Sequence, residues 1–298
     1  MKKNARLLIT GANGFTGRHA CQYFLNYGLS VIPVFQTKHR ALEIANSEVC
    51  DLRNKTQVMS LIEKVKPDYV LHLAGGNSVL DSWKTPLKYI EVNAMGTLYL
   101  LEAIRNEVPS CKTLVVGSAL QHDFANGTAP SHPYSFSKTM QVAIALAWEE
   151  LVGANVVIAR PSNIVGPGFS NGICSILGKR MIDIEEGNSQ PVIELSNLQT
   201  KRDYVDVRDV VAAYHLLLWK GESGTNYDIG SGVARSLLEV VTQYKELTQL
   251  DFQIRETEKS ESKELVSLNI NEIRKLGWIP RISFADSLKD VLAYMKNK

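Results

Sequence analysis

The sequence predicts a doubly wound α/β fold, and three observations carry that reading. Apolar runs alternate with helix-like stretches over the first 165 residues, the runs are apolar at nearly every position, and a glycine-rich turn joins the first run to the first helix. Strands that are apolar throughout are buried on both faces, as in a parallel sheet covered by helices.

The elements follow in order. "ARLLITG" opens the sheet and leads to the helix-like "RHACQYFLNYG". "LSVIPVF" is the second strand, although Pro33 removes a ladder hydrogen bond from a strand the fold needs inside the sheet. "DYVLHLAG", the helix-like "NAMGTLYLLEAIRN", "KTLVVGS" and "NVVIARPSN" continue the alternation. After about residue 165 the pattern loosens: "NIVGPGFSNG" precedes a helix-like "ICSILGKRMIDIEEG", mixed strands and short helices follow, and "FADSLKDVLAYMKNK" closes the chain as an amphipathic helix. We expect a main domain over 1–165 and a smaller, partly interleaved C-terminal lobe over 166–298, with a segment at about 203–232 returning to the first domain. The charged stretch "EKSESKE" (258–264) reads as a loop.

Composition excludes several classes. With 298 residues, 45% hydrophobic and 21% charged, the chain can bury a sizeable core. Lys plus Arg number 33 against 31 Asp plus Glu, a net charge of +2 without a long basic run, which argues against a nucleic-acid partner. The apolar stretch in "MKKNARLLITGANG" is too short for a signal or a membrane span, so a cytoplasmic location and no membrane partner are expected. Cys21, Cys50, Cys111 and Cys174 show no CxxC spacing and the six histidines no HExxH pattern, so buried thiols are expected rather than a disulfide framework or a metal site.

The glycine turn points to chemistry. In "LLITGANGFTGRHA", Gly11, Gly14 and Gly17 run from a strand into a helix. Glycines there allow a tight turn, close approach of the backbone to a pyrophosphate and close packing of helix on sheet, while the helix N-terminus offers free N–H groups to the phosphates. A Rossmann-type dinucleotide site is therefore expected. An acidic residue at the end of the second strand would bind the ribose hydroxyls of NAD, but "VFQTKHR" places Gln36, Thr37, Lys38, His39 and Arg40 there. Lys38, Arg40 and Arg18 are suited to neutralise a 2′-phosphate, so NADP(H) is the expected cofactor, with NAD(H) possible; the alternative is that these are solvated loop charges.

"PYSFSK" places Tyr134 and Lys138 four residues apart, a spacing that chance supplies often; Ser118 ends the strand "KTLVVGS". Together with Gly11-Ala12-Asn13-Gly14-Phe15-Thr16-Gly17, these residues resemble the extended short-chain dehydrogenase/reductase family. The resemblance spans nearly the whole chain: "HLAG" (72–75), "RPSNIVGPG" (160–168), "NLQTKRDYVDVRDVVAAY" (197–214) and "LGW" (276–278) all fit it. "KRDYVDVRDV" looks most like the nucleotide-sugar branch, in particular GDP-4-keto-6-deoxy-mannose reductases and their GDP-mannose dehydratase relatives.

What the resemblance implies is specific. Ser118, Tyr134 and Lys138 would be catalytic, with Tyr134 and Lys138 on one helix face, the lysine ammonium lowering the tyrosine pKa, and Ser118 orienting the reacting sugar oxygen. The cofactor would contact Gly11, Asn13, Gly14, Phe15, Thr16, Gly17 and Arg18 in the first turn, then Gln36, Lys38, Arg40, Asp51 and Leu52. Leu73, Ala74, Gly75, Tyr134, Lys138 and Pro161 would complete that set. Arg202 would hold a substrate diphosphate, the alternative for it being a salt bridge to Asp203 or Asp206. Asn163, Lys179 and Arg235 would assist, with Arg180 and Arg255 as further candidates.

Departures from the family pattern bear on the reaction. Dehydratases of this branch carry an acid two residues beyond the catalytic hydroxyl, whereas here Leu120 follows Ser118 and Ala119. His122 stands where the family usually has tyrosine; it and His132 are either sugar contacts or solvated loop residues. The expected reaction is NADPH-dependent reduction of the 4-keto group of a 4-keto-6-deoxy nucleotide-diphosphate sugar. A 4-epimerase with tightly bound cofactor is the alternative, and a non-catalytic dinucleotide sensor or scaffold the second. By the resemblance, apolar faces on the helices before residue 105 and after Tyr134 would pair in a homodimer, unless both pack within the chain.

Overall fold

The computed structural model describes residues 4–37, 46–257 and 268–297. Lys38, Arg40 and the 258–264 stretch lie outside the described residues. The chain divides into two compact units, one of residues 1–160 with 211–227 and one of 161–210 with 228–298.

The first unit is built on β1 (Arg6–Thr10), α1 (Phe15–Asn26), β2 (Ser30–Phe35), β3 (Glu48–Val49), α2 (Lys55–Val65) and β4 (Tyr69–His72). It continues through α3 (Val79–Lys84), α4 (Pro86–Tyr89), a π-helical turn (Ile90–Met95), α5 (Gly96–Glu107), β5 (Lys112–Val116), α6 (Pro133–Val152) and β6 (Val156–Pro161). After β7 (Asn163–Val165), α7 (Ile173–Glu185), β8 (Val192–Leu195) and β9 (Lys201–Asp206), the chain passes through α8 (Val207–Lys220) and β10 (Asn226–Ile229). A seven-stranded sheet runs β10-β6-β5-β4-β1-β2-β3. Its pairs β1–β2, β1–β4, β4–β5, β5–β6 and β2–β3 are all parallel. This is the doubly wound α/β sheet expected of the apolar runs, with Leu7, Leu8, Ile9, Val70, Leu114 and Ile158 buried on its two faces.

Pro33 sits inside β2, opposite Ile9. Ala12 N–H donates to Val34 O, so Val34 faces β1 and its neighbour Pro33 faces the other side. There β3 pairs only with Val34 and Phe35, so Pro33 deprives the ladder of no donor it would use.

Local chemistry fixes the helices that matter for the site. The α6 N-terminus has Pro133 in its first turn, and His132 caps it, with Nδ1 accepting from Ser135 N–H at 2.9 Å. Gly153 at φ 69° ends the same helix in the left-handed region.

The second unit adds β11 (Ala234–Ser236), α9 (Leu237–Thr248), β12 (Gln253–Glu256), α10 (Asn271–Lys275) and α11 (Phe284–Lys296). It carries a three-stranded sheet, β11-β9-β7, and a two-stranded one, β12-β8. Its core packs Leu177, Met181, Tyr244, Leu288 and Val291 together. Asp203, 3% exposed, organises the loops here without a cation: it accepts from Ser162 Oγ at 2.8 Å, Ser231 N–H at 2.8 Å and Gly232 N–H at 2.7 Å. Three donors on one buried carboxylate compensate its lost hydration. Among the described residues, no helix is long and apolar enough to cross a membrane.

Candidate active site

The glycine turn follows β1 directly. Gly11 has φ +69°, and a Cβ on it would lie 2.7 Å from Ala74 N; a Cβ on Gly17 would lie 2.3 Å from Gly11 O. Neither position has room for a side chain, so the backbone of the turn lies bare at the α1 N-terminus. Arg18 folds back onto the turn, its Nε 3.1 Å from Asn13 O and its outer nitrogen 2.7 Å from Asn13 Oδ1. Gln36 follows the end of β2 and lies near the Asp51 carboxyl, which it helps to hold down. Arg53, which sequence reasoning did not single out, pairs with Asp51 at 2.6 Å and holds its carboxyl below the usual range. Leu52 is buried beside them.

Ser118, Tyr134 and Lys138 are all buried. Leu120 N–H donates to Ser118 Oγ at 3.1 Å, and Ser118 is close enough to the Tyr134 hydroxyl to oppose the effect of its burial. Accepting from Leu120 N–H leaves the single Ser118 proton available for another oxygen in the site. Lys138 Nζ donates to Val116 O at 2.8 Å and to Gln141 Oε1 at 2.7 Å. Burial lowers Lys138 to about 7. The Tyr134 hydroxyl is pushed up by burial, with Ser118 opposing and Tyr89 reinforcing. The sequence expectation was a tyrosine lowered by Lys138, whereas here desolvation of the phenolate outweighs the opposing effect of Ser118.

The surrounding shell holds residues that sequence reasoning missed. Asn93, on the π-helical turn, accepts from Gly76 N–H at 2.8 Å and donates to Gly76 O at 3.2 Å and to Ser137 Oγ at 2.8 Å. It thereby ties the segment after β4, which contains Leu73, Ala74 and Gly75, to α6. Tyr89 meets Tyr134 edge-on, ring centroids 6.4 Å apart. Its ring leaves no space at Gly76, where a Cβ would lie 2.6 Å from a ring carbon. His122 and His132 are half-buried, and each has a partner within the chain. His122 donates from Nε2 to Thr128 O at 2.7 Å, and His132 caps α6.

In the second unit, Arg202 and Arg235 are directly opposite partners on β9 and β11. Neither alternative partner of Arg202 is engaged with it: Asp203 holds Ser162 and the 231–232 backbone, and Asp206 pairs with Arg208 at 2.8 Å. Arg235 lies over the Phe284 ring at 4.8 Å. Asn163 donates to Asp203 O at 2.9 Å, and Lys179 is exposed on α7. Arg180 instead donates to Gln190 O and Val192 O, bracing β8, and Arg255 lies 3.8 Å from Glu194. Pro161 is buried at the end of β6.

Comparison with known proteins matches the model of the NAD dependent epimerase/dehydratase family to residues 7–230. The chain belongs to this family. Within it, the chain is 27% identical to the GDP-6-deoxy-D-mannose reductase of Pseudomonas aeruginosa, over 97% of this chain and 96% of that protein. It is also 27% identical to the CDP-paratose 2-epimerase of Salmonella typhi, over 95% of this chain and 97% of that one. The dTDP-glucose 4,6-dehydratase of Haemophilus influenzae is 26% identical, with 97% of both chains covered. Among solved structures, RMD from Pseudomonas aeruginosa complexed with NADPH superposes with a TM-score of 0.85 at 27% identity, covering 98% of this chain and 99% of that one. Members of this family with different reactions thus share the whole length of the chain.

Proposed function

We propose that the protein reduces the 4-keto group of a 4-keto-6-deoxy nucleotide-diphosphate sugar with NADPH. The observation that carries this reading is the burial of Ser118, Tyr134 and Lys138 together, with Leu120 in place of an acid. The 27% identity to a GDP-6-deoxy-D-mannose reductase over nearly the full chain supports it, as does the likeness to a structure complexed with NADPH.

The residues present fit a nicotinamide dinucleotide: the side-chain-free turn at Gly11 and Gly17 suits a pyrophosphate, and Gln36 stands where NAD-binding relatives of this fold carry an acid. Such a cofactor, when bound, supplies the hydride. The chain's own residues manage the proton and the oxygen. A raised Tyr134 stays protonated at neutral pH, which suits a group that must give its proton to a carbonyl oxygen as it becomes an alkoxide. Ser118 donates to the same oxygen and orients it. Lys138 stabilises the tyrosinate left behind and offers its ammonium to the nicotinamide ribose. Leu120 can neither give nor take a proton, so elimination of water across the sugar lacks its acid. Arg202 and Arg235 supply two guanidinium groups to a diphosphate, with Asn163 and Lys179 assisting.

A homodimer belongs to this reading. Phe136 and Leu151 on α6 are exposed, at 39% and 74%, and offer an apolar face for the pairing. Sedimentation at micromolar concentration tests it.

The deciding experiment incubates the protein with NADPH and a panel of 4-keto-6-deoxy nucleotide sugars. Stoichiometric NADPH oxidation with a 6-deoxyhexose product supports the reductase. Sugar interconversion without net oxidation overturns it in favour of an epimerase, and equal efficiency with NADH and NADPH overturns the cofactor preference.

A further inference from the structure

The buried polar groups behind Lys138 form one chain of hydrogen bonds whose direction is fixed throughout. Thr10 Oγ1 accepts from Ala74 N–H at 3.2 Å and lies 2.7 Å from His72 Nδ1. Thr97 must give its proton to the carbonyl Asn93 O, so His72 carries its proton on Nε2, donates it to Thr97 Oγ1 at 2.8 Å, and accepts from Thr10 Oγ1 at Nδ1. Thr97 spends its proton on Asn93 O at 2.6 Å and can only accept from its other neighbours. Gln141 Nε2 donates to it at 3.0 Å. That leaves Gln141 Oε1 facing Lys138 Nζ at 2.7 Å.

A buried glutamine is ordinarily free to satisfy its amide in either of two flipped orientations. Here a flip would set its carbonyl against Thr97 lone pairs and its NH2 against an ammonium, losing both bonds. All of Thr10, His72, Thr97 and Gln141 are 0% exposed, so no water is at hand to compensate.

We propose that Gln141 is a positioning residue for Lys138: locked by the Thr10–His72–Thr97 chain into its acceptor orientation, it holds the lysine as an ammonium at the place where the nicotinamide ribose would be bound. The proposal rests on the catalytic reading of Tyr134 and Lys138. The titratable groups around the ammonium are His72 on β4, kept neutral, and Tyr134 on the same helix, with Tyr89 behind it. Among the described residues, no carboxylate is a hydrogen-bond partner of Lys138, whose acceptors there are the neutral Val116 O and Gln141 Oε1. Removing one of two acceptors favours the neutral amine, and replacing it by a carboxylate favours the ammonium. A side chain that merely filled space would respond to both changes alike.

The test reads Lys138 itself, in the full-length protein labelled with 13C at lysine Cε, its resonance identified by its loss in Lys138→Met. In Gln141→Met the Lys138 titration midpoint should fall by at least roughly half a pH unit, and in Gln141→Glu it should rise by a similar amount. NADPH affinity, measured by fluorescence, should weaken about tenfold in Gln141→Met, the equivalent of one lost charge-assisted hydrogen bond. Should Gln141→Met fail to fold, Thr97→Val, which frees the amide to flip, should move the midpoint down in its place. Midpoints that do not move, or that move the same way in Gln141→Met and Gln141→Glu, overturn the proposal. No substrate enters this measurement, so opposite shifts uphold the role of Gln141 even if no nucleotide sugar is reduced.

Discussion

Arg202 and Arg235 face each other across the antiparallel pair β9–β11, two like charges at one rung of the ladder. Directly opposed like charges destabilise a sheet; the Glu239 carboxylate feels Arg235, while Asp203 and Asp206, the acids nearest Arg202 in sequence, are held by other partners. A diphosphate between two such forks turns the repulsion into a paired interaction. Arg202→Ala should therefore raise the substrate KM by about 10- to 100-fold, the loss of a hydrogen bond to a charged group. The NADPH KM and the thermal midpoint should stay nearly unchanged. Equal rises in both KM values would show that Arg202 supports the fold rather than the substrate.

Tyr134→Phe removes one oxygen from a buried site and leaves Lys138 with both its acceptors, Val116 O and Gln141 Oε1. Turnover should fall by about two to four orders of magnitude, the usual worth of a positioned general acid. NADPH should bind within a few-fold of wild type by fluorescence. Turnover retained at a tenth or more would remove Tyr134 from its role.

Much of this was legible in the sequence, for physical reasons. Continuous apolar runs can only be strands buried on both faces, and glycines packed as closely as Gly11 and Gly17 leave no other residue a place, so fold and turn could be read directly. Asn93, Thr97 and Gln141 were not legible. They lie on a π-helical turn and two helices, where a polar residue looks the same in sequence whether it faces solvent or a buried lysine. The tyrosine pKa was misjudged for a similar reason: spacing showed the lysine nearby, but only burial shows how costly the phenolate is. The His132 cap was not legible either, because histidine is not among the residues that signal a helix N-terminus.

That cap is testable. His132 stacks on Tyr134, ring centroids 5.9 Å apart and planes 17° from parallel, while its Nδ1 caps the helix that carries Tyr134 and Lys138. His132→Ala should cost about 1 kcal/mol of stability, read as a drop of roughly 2 °C in Tm. His132→Asn keeps a capping acceptor and should recover most of that stability. If turnover returns with it, the histidine ring is a cap and not a sugar contact; stability without turnover would point to contact with the substrate.

The buried His72 makes stability depend on pH in a definite direction. Burial, reinforced by the Lys138 ammonium, lowers His72 to about 3, against 6.5 for the free side chain. The unfolded chain then binds one more proton than the folded one between those values, so the contribution of His72, lost as pH falls toward 3, is present above its unfolded pKa of 6.5. Each unit below that point costs up to about 1.4 kcal/mol. His215, lowered by its own burial, adds to the same slope, whereas Lys138, lowered from 10.5 to about 7, acts only at higher pH. Carboxylates held low, such as Glu102 at about 2, enter only in more acidic solution. Urea unfolding at pH 5, 6 and 7 should thus show wild type losing roughly 2 kcal/mol over the range, and His72→Gln losing clearly less, with His215 accounting for the remainder. Parallel pH slopes for the two proteins would mean that His72 is not held neutral in the folded state.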